Sequence, residues 1–132
     1  MAPSPPERCL IYLALAAFLA VCAAVQYNDP DPWLWIPLYG VGSVLLVLAA
    51  AGWRRRWAVL AVLVAYAVVG ATVLPGFVDW LLHHPPSDLT APMSADRPHI
   101  EASREFVGLM IAAACVAPLW PRRTLPQRRP SP

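Results

Sequence analysis

Two polar clusters interrupt an otherwise apolar chain of 132 residues, and they carry most of the side chains that could do chemistry. The first is QYNDPD, Gln26 to Asp31. Carboxylates on Asp29 and Asp31 can hold a cation, and the Gln26 and Asn28 carboxamides can orient one. The only other carboxamide side chain is Gln127, near the C-terminus. The same stretch also suits a simple turn. Asp31 has the side chain to cap a following helix, Pro32 suits a first helical position, and Asp29-Pro30 is a turn pair. Pro37 lies one turn further on, where it removes a backbone bond and can kink a helix.

The second cluster is HIEASREFVGL, residues 99–109. Glu101 and Glu105 are four apart and share a helix face that Gly108 and Ala112 continue. Arg104, three residues from Glu101, is placed to pair with it. Glycine at 108 lets another helix approach that face. The plainer alternative is an exposed acidic helix start that complements the dipole.

Histidine supplies a third possibility. His83, His84 and His99, with Asp79, Asp88 and Asp96, offer ligand types for zinc and hence for a metal-dependent membrane hydrolase. Their spacing lacks H-E-x-x-H or an i, i+4 His pair, so these side chains read as solvated loop residues and no metal ligand is assigned. The three cysteines form no C-x-x-C and read as helix-packing residues. No cofactor motif is visible, no catalytic residue can be assigned, and no basic stripe with interleaved aromatics suggests nucleic acid.

The elements that must position these groups are plain. The chain is 58% hydrophobic and 14% charged, with a mean hydropathy of +0.51. That is too much apolar side chain for a soluble domain of this size to bury. Four apolar blocks are long enough, or nearly so, for the 20 or so residues that cross a bilayer. They predict spans at about 9–27, 32–53, 57–82 with a break near 75–76, and 98–120. A disordered Arg/Pro-rich tail follows at 121–132. An N-terminal signal peptide is the alternative for the first block, but the hairpin-like segment after it favours a retained span.

Arginine sets the expected orientation. Arg8, Arg54 to Arg56, and Arg122, Arg123, Arg128 and Arg129 all fall on one side of a four-span chain, so both termini are expected in the cytoplasm. Seven of the eight acids and all three histidines fall on the other side. The expected fold is all-α: four antiparallel transmembrane helices in a small bundle, with Gly40, Gly42, Gly70 and Gly108 as close-contact candidates.

With Gln26-x-Asn28-Asp29-Pro30-Asp31 closing the first span and Glu101-x-x-Arg104-Glu105-Phe106-x-Gly108-Leu109 opening the last, the chain resembles the transmembrane protein 220 family over about its first 115 residues. The resemblance implies a small polytopic membrane protein, in a compact form like the bacterial members, and supplies no reaction, substrate or residue role. Ala/Arg richness without lysine suits a GC-rich bacterial genome, and the expected location is the bacterial inner membrane. The residues themselves point to an outer-face site at Gln26, Asn28, Asp29, Asp31, Glu101, Arg104 and Glu105 for a cation or lipid headgroup. An accessory subunit of a larger membrane complex is the alternative, its partner another membrane protein or a second copy. If there is a site, the two motifs must touch, with Arg104 or Glu105 hydrogen-bonded to the first.

Overall fold

The computed structural model describes residues 5–120, so the Arg/Pro-rich segment 121–132, with its share of the orientation argument, lies outside the described residues. Four helices account for most of the chain: α1 (Pro5–Ala24), α2 (Pro32–Ala50), α3 (Arg56–His83) and α4 (Pro98–Val116). Short 3-10 turns follow α1 at Val25–Asn28 and α4 at Ala117–Leu119, and another lies between α3 and α4 at Pro86–Thr90. No strand occurs among the described residues. All four helices are long and apolar enough to cross a membrane. α3, with 28 residues, extends about 42 Å, well beyond the roughly 30 Å of hydrocarbon.

Helix starts follow proline chemistry. Pro32 and Pro98 occupy the first turns of α2 and α4, where a missing N–H costs nothing. Asp31 stands at the N-cap of α2, but its side chain makes no cap bond; its carbonyl accepts from Leu34 and Trp35 instead. The side chain that does bond backbone here is that of Asp29, whose Oδ1 accepts from the Asp31 N–H at 3.0 Å. The capping expected of Asp31 is thus replaced by an Asx turn one step earlier. Gly52 ends the α2 connection with φ +90°, a backbone state open to glycine.

Helix α3 runs unbroken through Pro75 and Gly76, where the sequence suggested an interruption. Proline is tolerated inside a membrane helix when neighbouring groups compensate. Thr72 Oγ1 donates to the Val69 carbonyl at 2.7 Å in the preceding turn, although the carbonyl that loses its donor to Pro75 is that of Ala71. Gly76 has a different task. A Cβ there would overlap the Ala102 side chain, so this glycine lets α3 and α4 touch.

Packing is pairwise, α1 on α2 and α3 on α4, and the pairs meet where α2 contacts α3 and α4. The core joins Leu19, Leu46, Val59, Leu109 and Val116 from all four helices. Outside it, Leu10, Val44, Val68 and Leu81 are among many large apolar side chains left exposed, as a lipid-facing surface requires.

Polar groups in the interior satisfy themselves on backbone. Ser43 Oγ donates to the Ala16 carbonyl at 2.8 Å, and the Tyr66 hydroxyl donates to the Leu38 carbonyl at 3.1 Å. Close approach at Gly42 makes the second bond possible: a Cβ there would collide with the Tyr66 hydroxyl. A Cβ at Gly108 would likewise collide with the Tyr39 hydroxyl. Gly70 makes only ordinary contacts and Gly40 has nothing within 4 Å, so two of the four expected close-contact glycines are not used that way.

Candidate functional site

The sequence motifs come together where the end of α1, the start of α2 and the first turns of α4 meet. Gln26, Asn28, Asp29, Glu101, Arg104 and Glu105 all line one cavity of about 490 Å³. Helix periodicity explains the α4 contribution. Glu101, Arg104, Glu105 and Gly108 lie within one 100° sector of the helix and face the cavity together. The α1 contribution depends on the 3-10 turn at Val25–Asn28, which carries Gln26 and Asn28 round to Asp29.

Asp29, Glu101 and Glu105 bring one carboxylate oxygen each to within 4.8 Å of one another. All three are half-buried. Asp31 does not line the cavity, but it lies within electrostatic reach of Glu105, as do Glu101 and Asp29. Trp35 lies against the Glu105 carboxyl group from α2. The remaining wall is apolar, with Phe18, Leu19, Val25, Met93 and Ile111.

Arg104 departs from expectation. It lines the cavity but is exposed, and among the described residues it forms neither an ion pair nor a hydrogen bond with Glu101, Glu105 or the Gln26–Asp31 segment. An exposed arginine gains little from a surface pair that would fix its long side chain. Nor does a hydrogen bond join Glu105 to that segment; the two motifs share a cavity without bonding directly. Sequence reasoning passed over Trp35, Tyr39, Cys22 and Met93, which also line it. The first two are buried on the α2 face that carries Leu38, a face no pattern marks because α2 is apolar all round.

On the opposite face of the first turn of α4 the histidines have gathered. His99 is 9% exposed and Asp88 5%, although both read from the sequence as solvated loop residues. The Asp88 carboxylate accepts from His99 Nε2 at 3.0 Å and from Arg97 at 2.6 Å. Those partners, His99 foremost, hold its carboxyl below the usual range against the opposing effect of burial. His84 stacks on His99 with ring centroids 3.5 Å apart and planes 11° apart. Asp79 accepts from His83 and His84 at 3.1 and 3.3 Å. Asp96 joins none of these contacts. A signal was present in sequence: Asp79 and His83, and His84 and Asp88, are spaced i, i+4. What made it illegible is that His99 arrives from another helix.

At the other end of the molecule Arg54 lies over the Tyr12 ring at 5.1 Å and Arg56 over Trp120 at 5.0 Å. These amphipathic pairs suit a membrane–water boundary.

No solved structure matches the chain. The family model described as "Transmembrane family 220, helix" matches residues 18–120, which include both polar motifs, the end of α1 and the whole of α2, α3 and α4. The chain belongs to that transmembrane family and is a small integral membrane protein.

Proposed function

We propose that the cavity between α1, α2 and α4 binds a cationic group, and that the protein acts as a binding protein in the bilayer rather than as an enzyme. The observation that carries this reading is the meeting of Asp29, Glu101 and Glu105 within 4.8 Å with no basic side chain among the described residues in ion-pair contact. Three carboxylates crowded beside apolar walls repel one another, and a bound cation relieves that repulsion. Gln26 and Asn28 supply carbonyl oxygens to orient it. A metal ion and the ammonium of a lipid headgroup share this chemistry. The cavity, at about 490 Å³, is far larger than a bare ion and is apolar along one wall. This favours an amphiphile whose ammonium meets the acids and whose phosphate is within range of Arg104.

The arginine distribution supports four antiparallel spans with both termini cytoplasmic, which puts this mouth on the non-cytoplasmic side of the membrane. The Ala/Arg-rich, lysine-free composition fits a GC-rich bacterial genome, for which the setting is the inner membrane. A larger complex, with this chain as a subunit, is the second setting in which such a site would work.

The test uses purified protein in two formats. Lipid nanodiscs containing phosphatidylethanolamine or phosphatidylglycerol are compared by native mass spectrometry, and Ca²⁺, Mg²⁺ and Na⁺ are titrated calorimetrically in detergent. Selective retention of the ethanolamine lipid, reduced at least tenfold by Glu101→Gln/Glu105→Gln, supports the headgroup. Tight metal binding lost in the same variant identifies an ion instead. If neither probe binds, or the variant binds both as the parent does, the proposal fails.

A further inference from the structure

The first turn of α4 separates two constellations, and the one facing α3 has the chemistry of a different ligand. Three elements build it. Asp79, His83 and His84 come from the last turn of α3 and its end, Asp88 from the 3-10 turn at Pro86–Thr90, and His99 from the start of α4. Both Asp88 oxygens are engaged, Oδ1 accepting from Arg97 at 2.6 Å and Oδ2 facing His99, the pattern of an accepting carboxylate. The ring nitrogen of His99 that faces it at 3.0 Å, Nε2, must carry the proton. In the neutral ring the lone pair then belongs to Nδ1. This carboxylate–imidazole contact is the arrangement that fixes the tautomer of a metal-ligating histidine. Asp79 is held in a similar way, with His83 Nδ1 on its Oδ1 at 3.1 Å.

His84 completes the group. Its Nε2 lies 3.3 Å from Asp79 Oδ2. Ligand atoms on tetrahedral zinc, bonded at about 2.0–2.2 Å, stand roughly 3.3 Å apart. One edge of such a site is therefore already formed, with a proton where the metal would sit. Ligand atoms of Asp79, His84 and His99 all lie within 4.8 Å of one another.

We propose that Asp79, His84 and His99 bind a first-row transition-metal dication, with Zn²⁺ the best fit, while Asp88 and His83 orient the ligands. Two imidazoles and one carboxylate suit zinc and are poor donors for magnesium or calcium. The charge of Asp88 is offset by Arg97 at 2.6 Å, so the metal meets one net negative ligand and two neutral ones. Metal lies in the plane of each ligating ring, and two rings stacked at 11° cannot both aim at one point. His84 is the ring that turns, because it is partly exposed while His99 is buried and tied to Asp88. Its χ2 rotation has a broad, shallow profile. Three protein ligands leave a fourth position open to water or another small ligand. This site uses no residue of the cationic-group cavity, so each stands or falls without the other.

Untagged full-length protein, stripped with chelator in detergent and titrated with Zn²⁺ against a zinc indicator, tests the proposal. One zinc per chain is expected, surviving desalting at pH 7.5. His84→Ala and Asp79→Asn, both at exposed or part-exposed positions, should each weaken binding at least about tenfold while leaving the far-ultraviolet circular dichroism unchanged. Asp88→Asn should weaken it about 10- to 100-fold, the usual loss when such an orienting carboxylate is replaced. Glu101→Gln/Glu105→Gln, on the other face of α4, should keep the ion. Failure of the parent protein to retain zinc would overturn the site. So would undiminished binding by both His84→Ala and Asp79→Asn, or loss of zinc in the Glu101→Gln/Glu105→Gln protein.

Discussion

Substituting Gly42 with alanine tests one of the tightest helix contacts among the described residues, and its cost should depend on a single oxygen atom. A Cβ at this position would overlap the Tyr66 hydroxyl and come within 3.0 Å of Leu19 Cδ1. The Leu19 methyl sits at the end of a flexible side chain and can yield, whereas the hydroxyl is held by its bond to the Leu38 carbonyl at 3.1 Å. Gly42→Ala must therefore break that bond, a loss of about 0.6–1.5 kcal/mol for a membrane protein interior. It must also relieve overpacking worth about 1–3 kcal/mol. Helix propensity returns about 1 kcal/mol. The net expectation is a destabilisation of about 1–3 kcal/mol. Tyr66→Phe alone should cost about 1 kcal/mol. In the Tyr66→Phe background the obstructing oxygen is absent, so Gly42→Ala should then cost close to nothing. The double variant should be about as stable as Tyr66→Phe, with a coupling of about 1–3 kcal/mol. Reversible unfolding in mixed micelles, followed by tryptophan fluorescence, measures all four proteins. Additivity within about 0.5 kcal/mol would show that the hydroxyl is not what fills the space beside Gly42.

Glycine at 76 and glycine at 40 should behave oppositely. Gly76→Val forces α3 away from Ala102 and should lower the yield of folded protein in detergent, whereas Gly40→Ala, with open space around it, should leave the yield and unfolding midpoint unchanged or slightly improved. Arg97→Met removes the 2.6 Å ion pair that ties Asp88 to the start of α4. Limited chymotrypsin digestion of this variant should cut the connection between α3 and α4 earlier than in the parent, with the helices still intact; an unchanged cleavage time course would mean that His99 alone anchors Asp88.

The membrane helices were legible because apolar composition is a one-dimensional property. A run without charge is too costly to leave in water and long enough to cross hydrocarbon wherever its neighbours are placed. The proline start of α2 could be read for a related reason, since a missing N–H acts locally. The two polar motifs were legible as residues that a bilayer would not tolerate without cause.

Which way each helix faces is another matter. Lipid is as apolar as a protein core, so a membrane helix needs no apolar stripe, and these helices are apolar around most of their circumference. Nothing along α2 distinguishes Gly40, which touches nothing, from Gly42, which admits the Tyr66 hydroxyl. Pro75-Gly76 reads as a break in one dimension and is a contact in three, because Ala102 lies opposite. The meeting of Asp29 with Glu101 and Glu105, the freedom of Arg104 from either, and the burial of His99 on Asp88 likewise belong to tertiary structure. Each depends on the rotation of one helix about its axis relative to another. Close approach at small residues and a few side-chain hydrogen bonds fix that rotation, and their partners lie far away in sequence.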